Sequence, residues 1–162
     1  MNSDWLPPLV YLQEHGGNWD KYLRAIYEVF RTDFVLSHPD FRGLPVRIRH
    51  MPRDDNKEAT FWHLISEGKG EEERIPDLRR CERIRWPRPV VENHFVSGIR
   101  VWESRRGVKT NICIWFLEVD YLVVLGKRNG YVLLVTAYPV IYDNKRRDLE
   151  REYAAFMANA AC

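Results

Sequence analysis

The stretch that decides the fold runs from Ile99 to Tyr138 and reads IRVWESRRGVKTNICIWFLEVDYLVVLGKRNGYVLLVTAY. Its apolar and β-branched runs are typical of strands, and they cover Ile99–Ser104, Val108–Leu117, Tyr121–Gly126 and Tyr131–Tyr138. Arg105-Arg106-Gly107 separates the first two runs. Lys127-Arg128-Asn129-Gly130 separates the last two, and Asn-Gly is a strong hairpin signal. The stretch therefore predicts a four-stranded antiparallel meander.

Helical patterns flank this meander. Asn18 is a suitable N-cap for a helix from Trp19 to about Phe34, whose apolar residues recur three and four positions apart. A last helix is predicted to begin near Asn144, with one apolar side formed by Leu149, Tyr153, Phe156 and Met157. The sequence thus predicts an α+β fold in which N-terminal helices pack on the four-stranded antiparallel sheet and a C-terminal helix follows. Residues 1–162 are expected to form a single domain, with a helical N-terminal part at residues 1–57.

The middle of the chain is less regular. Residues 45–50 alternate apolar and basic side chains, which predicts a short strand with one solvated face. Thr60–Ser66 fits either a strand or a helical turn, and periodicity does not decide between them. Pro76 suits the first position of a helix, with Asp77 near its positive end. That helix is expected to end before Pro87, because a residue that precedes proline avoids the α region.

Composition indicates a soluble globular protein, since 45% of the 162 residues are hydrophobic and 30% are charged. Cys81, Cys113 and Cys162 are odd in number and have no paired spacing, so we expect reduced thiols. The N-terminus lacks the basic and apolar regions of an export signal, and the apolar runs are too short to span a bilayer. A cytoplasmic location with no membrane partner is expected.

Charge is segregated along the chain. The formal net charge is only +2, yet residues 74–109 contain ten basic and four acidic side chains. Five arginines surround a Trp-Pro corner, namely Arg79, Arg80, Arg83, Arg85 and Arg88 around Trp86-Pro87. Guanidinium groups are planar and permanently charged, which suits phosphate binding. The alternative is a solvated surface paired with Glu82 and the Glu71–Glu73 run.

Three further residues are candidates for chemistry. His63 is of the residue type that transfers protons near neutral pH, although its apolar neighbours are equally compatible with a structural histidine. Strand alternation places Thr136 and Tyr138 on one face, opposite Val135 and Ala137. Their hydroxyls suit phosphate binding, but both residues are also good strand formers. No metal-binding spacing, P-loop or dinucleotide motif is present, so no metal or other cofactor is expected.

Four segments resemble a phage- and plasmid-associated branch of the barnase–EndoU–colicin–RelE-like nuclease superfamily. They are Phe61–Ile65, Arg74–Trp86, Asp120–Leu125 and Gly130–Val140, and the resemblance covers about residues 58–155 as a nuclease-like α+β core. It implies a four-stranded antiparallel sheet preceded by helices. It also implies a metal-independent ribonuclease that acts as a toxin in toxin–antitoxin, phage-conflict or interbacterial systems.

Carried over to this sequence, the resemblance makes His63 the early histidine and Thr136 and Tyr138 the late hydroxyl pair. The basic residue that stabilises the transition state would be Arg83, Arg79 or Arg85. Many relatives use a lysine in that role, whereas this region offers only arginine, so the choice among the three stays open.

The sequence thus predicts an RNA endonuclease in which the 2′-hydroxyl attacks the neighbouring phosphorus. Arg79, Arg80, Arg85, Trp86 and Arg88 would bind the RNA. Single-stranded RNA, such as mRNA or the loops of tRNA, is favoured because Trp62, Trp86 and Tyr138 suit stacking on unpaired bases. An antitoxin or immunity protein is a possible partner. The alternatives are a non-catalytic nucleic-acid-binding or antitoxin-like protein, or an interaction protein whose arginines bind acidic surfaces.

Overall fold

The structure, a computed structural model, describes residues 3–68 and 74–160. Its strands are β1 (Asp40–Phe41), β2 (Leu44–Arg47), β3 (Ser66–Glu67), β4 (Ile75–Pro76), β5 (Ile99–Arg106), β6 (Lys109–Phe116), β7 (Tyr121–Lys127) and β8 (Val132–Pro139). Its α-helices are α1 (Trp19–Phe30), α2 (Ala59–Ile65), α3 (Leu78–Glu82), α4 (Pro87–Glu92) and α5 (Asp143–Ala160). Within the described residues, six strands form one curled half-barrel sheet in the order β1-β2-β8-β7-β6-β5, and β3 pairs with β4.

The antiparallel meander is present as β5 to β8, but it is only part of the sheet. The prediction of a sheet limited to four antiparallel strands is wrong. The strand expected at residues 45–50 is β2, and it pairs in parallel with β8 through Val46–Val132 and Arg47–Leu133. Strand β1 then pairs with β2, so the sheet is mixed and extends into the N-terminal part of the chain.

A bulge in β8 changes which side chains share a face. Val124 pairs with Thr136 and Leu125 with Leu134, which leaves Val135 as the extra residue. Val135 and Tyr138 therefore pack on the same hydrophobic cluster, while Ala137 faces the other cluster. The expected alternation is correct for Ala137 and wrong for Val135.

The larger hydrophobic cluster lies between one face of the sheet and the first four helices. Helix α1 begins as expected, because the Asn18 side chain accepts a hydrogen bond from the Lys21 amide at 3.0 Å. It continues into a π-helical turn at Arg31–Val35. The apolar stripe is buried at Tyr22, Leu23, Ile26, Phe30 and Phe34. Thr60–Ser66 is resolved as a helix, since all but its last residue belong to α2.

The arginine-rich segment contains two short helices rather than one. Pro76 ends strand β4, and Asp77 caps α3 by accepting from the Arg79 amide at 2.9 Å. The helix start predicted at Pro76 is therefore misplaced, because the side chain of Asp77 supplies the cap. Helix α3 ends at Glu82, and Pro87 occupies the first turn of α4.

Helix α5 covers part of the opposite face. Leu149 is buried there beside Trp102, Cys113 and Trp115, and Tyr153 and Phe156 pack at the margin. Met157, expected on the apolar side, is 47% exposed. The start of α5 is fixed to the sheet because the Arg146 guanidinium binds Asp120, which also accepts from Trp115 Nε1 at 3.0 Å.

Candidate functional site

A basic pocket of about 170 Å³ lies between helix α2 and the two hairpins of the meander. We call it the basic pocket, and its lining residues are Arg49, Thr60, His63, Arg106, Lys109, Asn111, Arg128, Leu133, Leu134 and Val135. They come from four separate parts of the chain, namely the segment after β2, helix α2, the β5–β6 hairpin and the β7–β8 hairpin. The fold therefore assembles a site that no single sequence motif contains.

Paired hydrogen bonds hold Arg49 beside helix α2. The Arg49 amide donates to Thr60 Oγ1 at 2.8 Å, and the Thr60 amide donates to the Arg49 carbonyl at 3.1 Å. Thr60 is only 2% exposed, so these bonds are shielded from water. His63 lies three positions after Thr60 and shares its side of the helix. The hydrogen bonds thus hold the backbone of Arg49 beside α2, and both Arg49 and His63 line the pocket.

The β5–β6 hairpin places two cations opposite each other. Arg106 pairs with Lys109 at the end of the ladder, beside Gly107, which has a φ of 66°. Like charges directly across a ladder are unfavourable unless an anion neutralises them. Arg106 is partly compensated by Glu152 of α5, at an Nη2–Oε2 distance of 3.5 Å. Both side chains line the basic pocket, so their repulsion favours binding of an anion there.

Arg128 reaches the pocket by folding back over the sheet. Its Nη1 donates to the Lys127 carbonyl at 2.8 Å, and its guanidinium lies over Gly126. A Cβ on residue 126 would come within 2.8 Å of Arg128 Nη1. The absence of a side chain at Gly126 is therefore what leaves room for this cation.

The electrostatic character of the pocket is simple. Four of its lining residues carry permanent positive charge at neutral pH, and none of the described lining residues is a carboxylate. The lining also includes three apolar residues of β8, namely Leu133, Leu134 and Val135. Charges of one sign in a cleft with apolar walls concentrate the field and attract an anion. His63 is the lining side chain whose residue type exchanges a proton near neutral pH.

The C-terminal end of α2 brings four of the predicted residues together. The His63 carbonyl accepts from Thr136 Oγ1 and from Arg80 Nη1, each at 3.3 Å. Arg80 also donates to the Ser66 carbonyl at 2.7 Å and lies over the Tyr138 ring, 4.9 Å from its centroid. Arg80, Thr136 and Tyr138 thus contact the backbone of α2 or each other, while the imidazole of His63 belongs to the basic pocket.

The remaining arginines of the cluster bind the protein itself. Arg88 Nη1 donates to the Asp33 carbonyl and to Ser37 Oγ, both at 2.8 Å, and its Nε donates to Glu92. Arg85 contacts the Pro8 carbonyl at 3.4 Å. Arg83 donates to the Arg79 carbonyl at 3.0 Å and pairs with Glu82. These side chains brace the N-terminal segment and helices α1, α3 and α4.

Trp86 and Arg79 are likewise not among the lining residues of the basic pocket. Trp86 is buried in the larger cluster, where it packs edge-on against Tyr121 and donates from Nε1 to the Pro7 carbonyl at 2.9 Å. Arg79 is exposed on α3. None of Arg79, Arg80, Arg83, Arg85, Trp86 and Arg88 lines the basic pocket. Arg80 contacts the backbone carbonyl of His63, but the cluster does not line the pocket that His63 lines.

Sequence reasoning identifies His63 but misses its neighbours. It places Arg106 and Arg128 only in turns, and Arg49 only in a short strand. Two signals are present in the sequence, namely a basic pair at positions 106 and 109 across a tight turn, and Arg128 directly before Asn129-Gly130. Neither signal indicates a pocket without the parallel pairing that brings α2 beside β8.

Within residues 3–68 and 74–160, no group of three or more His, Cys, Asp or Glu side chains is arranged to hold a metal ion. No helix in the same residues combines the length and apolar character that crossing a bilayer requires. Comparison with protein-family models, with curated proteins and with solved structures finds no match to this chain. The function of the protein is therefore inferred from the geometry of the site.

Proposed function

We propose that this protein is an RNA endonuclease that binds the phosphodiester backbone in the basic pocket and cleaves it by attack of the 2′-hydroxyl. The observation that carries the proposal is the combination of Arg49, Arg106, Lys109 and Arg128 with His63 in one pocket free of lining carboxylates among the described residues. Cations of this kind both bind a phosphodiester and stabilise the extra charge of its transition state. A toxin-like role in phage conflict or a toxin–antitoxin pair, as the sequence resemblance implies, is part of the proposal.

In the proposed reaction, His63 takes the proton from the ribose 2′-hydroxyl. The 2′-oxygen forms a bond to phosphorus as the bond to the 5′-oxygen breaks, which leaves a 2′,3′-cyclic phosphate and a 5′-hydroxyl. The departing 5′-oxygen takes a proton from water or from a second donor. General base help of this kind contributes about two to four orders of magnitude. The guanidinium and ammonium groups offset the charge that develops on the phosphoryl oxygens.

The donor set of the pocket supports a mechanism without a metal ion. Divalent cations prefer carboxylate and carbonyl oxygens. The described lining of the pocket instead presents guanidinium, ammonium, imidazole, amide and hydroxyl groups. Its four permanent cations would repel a divalent ion and already supply the positive charge that such an ion would bring.

Cleavage of labelled single-stranded RNA in excess EDTA tests the proposal. We expect wild type to generate cyclic phosphate ends, His63→Ala to lose at least about a hundredfold in rate, and the exposed His50→Ala control to retain activity. The same strand with 2′-deoxyribose at the cut position should stay intact. Equal rates for wild type and His63→Ala would overturn the assignment, as would cleavage of the deoxy strand.

One observation favours a second candidate, a protein that binds RNA without cutting it. Ribonucleases of this type use two proton-transfer groups, and His63 is the single described lining residue whose side-chain type titrates near neutrality. Tyr138, one of the late hydroxyl pair that the resemblance implies, lines a different cavity. Wild type that binds RNA in the pocket but produces no cyclic phosphate after prolonged incubation would support this second candidate.

A further inference from the structure

A second cavity lies farther along strand β8. It encloses about 870 Å³ and is lined by Glu67, Gly68, Asp77, Arg80, Tyr138, Pro139, Val140, Ile141, Tyr142, Asn144 and Lys145. The basic pocket includes Val135 and this second cavity begins at Tyr138, so the two linings are three positions apart on one strand. At about 3.3 Å per residue, that separation is about 10 Å. A short stretch of one extended polymer therefore suffices to contact both sites.

In the second cavity the Arg80 guanidinium lies over the Tyr138 ring, and we call this pair the Arg80–Tyr138 platform. The Arg80 guanidinium is 4.9 Å from the centroid of the Tyr138 ring, and Tyr138 packs against the smaller hydrophobic cluster. The carbonyls of His63 and Ser66 fix the guanidinium by accepting from Nη1. A planar guanidinium that is held in place loses little entropy when a second planar group stacks on it. Unpaired RNA bases stack on both arginine planes and aromatic rings.

The charges of the second cavity differ from those of the basic pocket. Arg80 and Lys145 are offset by Glu67 and Asp77, so the part of the lining that the structure describes carries no formal net charge. The basic pocket has four cations and no described carboxylate in its lining. A phosphate group therefore favours the basic pocket, while the second cavity favours a neutral group.

The walls of the second cavity are suited to a flat, partly polar molecule. Ile141 and Tyr142 are 42% and 55% exposed, so their apolar surfaces are accessible to a ligand in the cavity. Asn144 adds an exposed amide that both donates and accepts hydrogen bonds. Such a group recognises the edge of a base, while the apolar walls cover its faces.

We infer that the second cavity binds a nucleobase of the same RNA strand whose phosphodiester occupies the basic pocket. The inference rests on the proposed function for the identity of that strand. A base stacked on the Arg80–Tyr138 platform cannot be paired within a duplex. The substrate class is therefore single-stranded RNA, contacted across at least one nucleotide beyond the scissile phosphate.

Binding of short 2′-O-methyl RNA strands, measured by fluorescence anisotropy, tests this inference without cleavage. One base at a time is replaced by an abasic residue, which keeps every phosphate. For wild type we expect one position whose loss weakens binding about 5- to 100-fold, as removal of a stacked base does. Tyr142→Ala should abolish most of that difference, and Tyr142→Phe should retain it. Arg80→Lys, which keeps the charge but lacks the planar fork, should reduce it.

An affinity that is independent of the abasic position would overturn the inference, and so would an unchanged positional effect in both Tyr142→Ala and Arg80→Lys. Failure of the proposed function has a different signature, because it appears as absence of cleavage by wild type in EDTA. A positional effect without cleavage would support the base site and reject the nuclease. Cleavage by wild type without a positional effect would support the nuclease and reject the base site.

Discussion

The guanidinium of Arg128 lies over the backbone of Gly126, where a Cβ would come within 2.8 Å of Nη1. Gly126 has no positive φ and is buried in β7, so turn formation does not require a glycine there. Its role is to leave space for a cation above the sheet. The position of the Arg128 guanidinium in the basic pocket thus depends on Gly126, a residue that carries no charge.

Gly126→Ala should weaken RNA binding by displacing Arg128. The clash involves the end of a flexible side chain, so we expect the fold to be retained and the guanidinium to move away from the pocket. The affinity for single-stranded RNA should fall about three- to tenfold, comparable to Arg128→Gln and equivalent to about 1 kcal/mol. The double variant should lose no more than either single variant, and additive losses would show that Gly126 does not act through Arg128.

Arg88→Ala should destabilise the fold without affecting RNA binding. Its Nη1 donates to the Asp33 carbonyl and to Ser37 Oγ, each at 2.8 Å, and loss of these bonds should lower the free energy of unfolding by about 1–3 kcal/mol. Arg79→Ala, on an exposed side chain, is the matched control and should change stability little. Urea denaturation and anisotropy measure the two quantities. A large loss of RNA affinity with unchanged stability would contradict this prediction and support the phosphate-binding role of Arg88 that the sequence predicts.

The thiols of Cys81 and Cys113 should react slowly in the folded protein. Burial is the largest cause and raises the pKa of each thiol to about 12. The negative charge of Asp77 also raises the pKa of Cys81, and that of Glu152 raises the pKa of Cys113. The thiolate is the reactive form, so little of it exists at pH 8. In a Cys162→Ser background, we expect iodoacetamide to modify both thiols only after denaturation in urea. Rapid modification of the native protein would show that at least one of the two thiols is accessible, which would contradict this prediction.

The carboxyl group of Glu58 should make stability depend on pH. Burial raises its pKa, but hydrogen bonds from Tyr27, the backbone and Arg53 outweigh burial and hold the pKa below the ordinary 4.5. The stabilisation is therefore present above about pH 4.5 and is lost as the pH falls through the folded-state pKa. Glu58→Gln should be less stable than wild type at pH 7, and the difference should shrink below pH 4.5. Glu150→Gln, on the exposed side of α5, controls for the change in net charge.

The local parts of this fold could be predicted from the sequence. The β5–β8 meander and the Asn18-capped helix follow from turn residues, capping residues and apolar spacing that act over a few positions. The parallel β2–β8 pair could not, because it joins distant parts of the chain and the pattern within a strand does not show which strand it pairs with. The bulge at Val135 could not be predicted either, because nothing in the sequence distinguishes an unpaired strand residue from a paired one.

The candidate site was predictable only in part for the same reason. His63 could be recognised by its residue type, whereas Arg49, Arg106 and Arg128 become its neighbours only through the β2–β8 pairing and the two hairpins. The arginine cluster stands out in the sequence because its members are adjacent there. In the structure, hydrogen bonds to backbone carbonyls and Glu side chains direct those guanidinium groups to separate places.

The salt dependence of single-stranded RNA binding tests most directly whether the basic pocket is where phosphate binds. The slope of log K against log salt concentration decreases in magnitude by about 0.7 for each phosphate that the protein no longer neutralises. If the basic pocket binds phosphate, the slope should decrease by about 2 for the variant carrying Arg106→Gln, Lys109→Gln and Arg128→Gln. It should change little for Arg79→Gln, Arg83→Gln and Arg85→Gln together. A slope that changes only in the second variant would contradict this assignment and place phosphate binding in the arginine cluster.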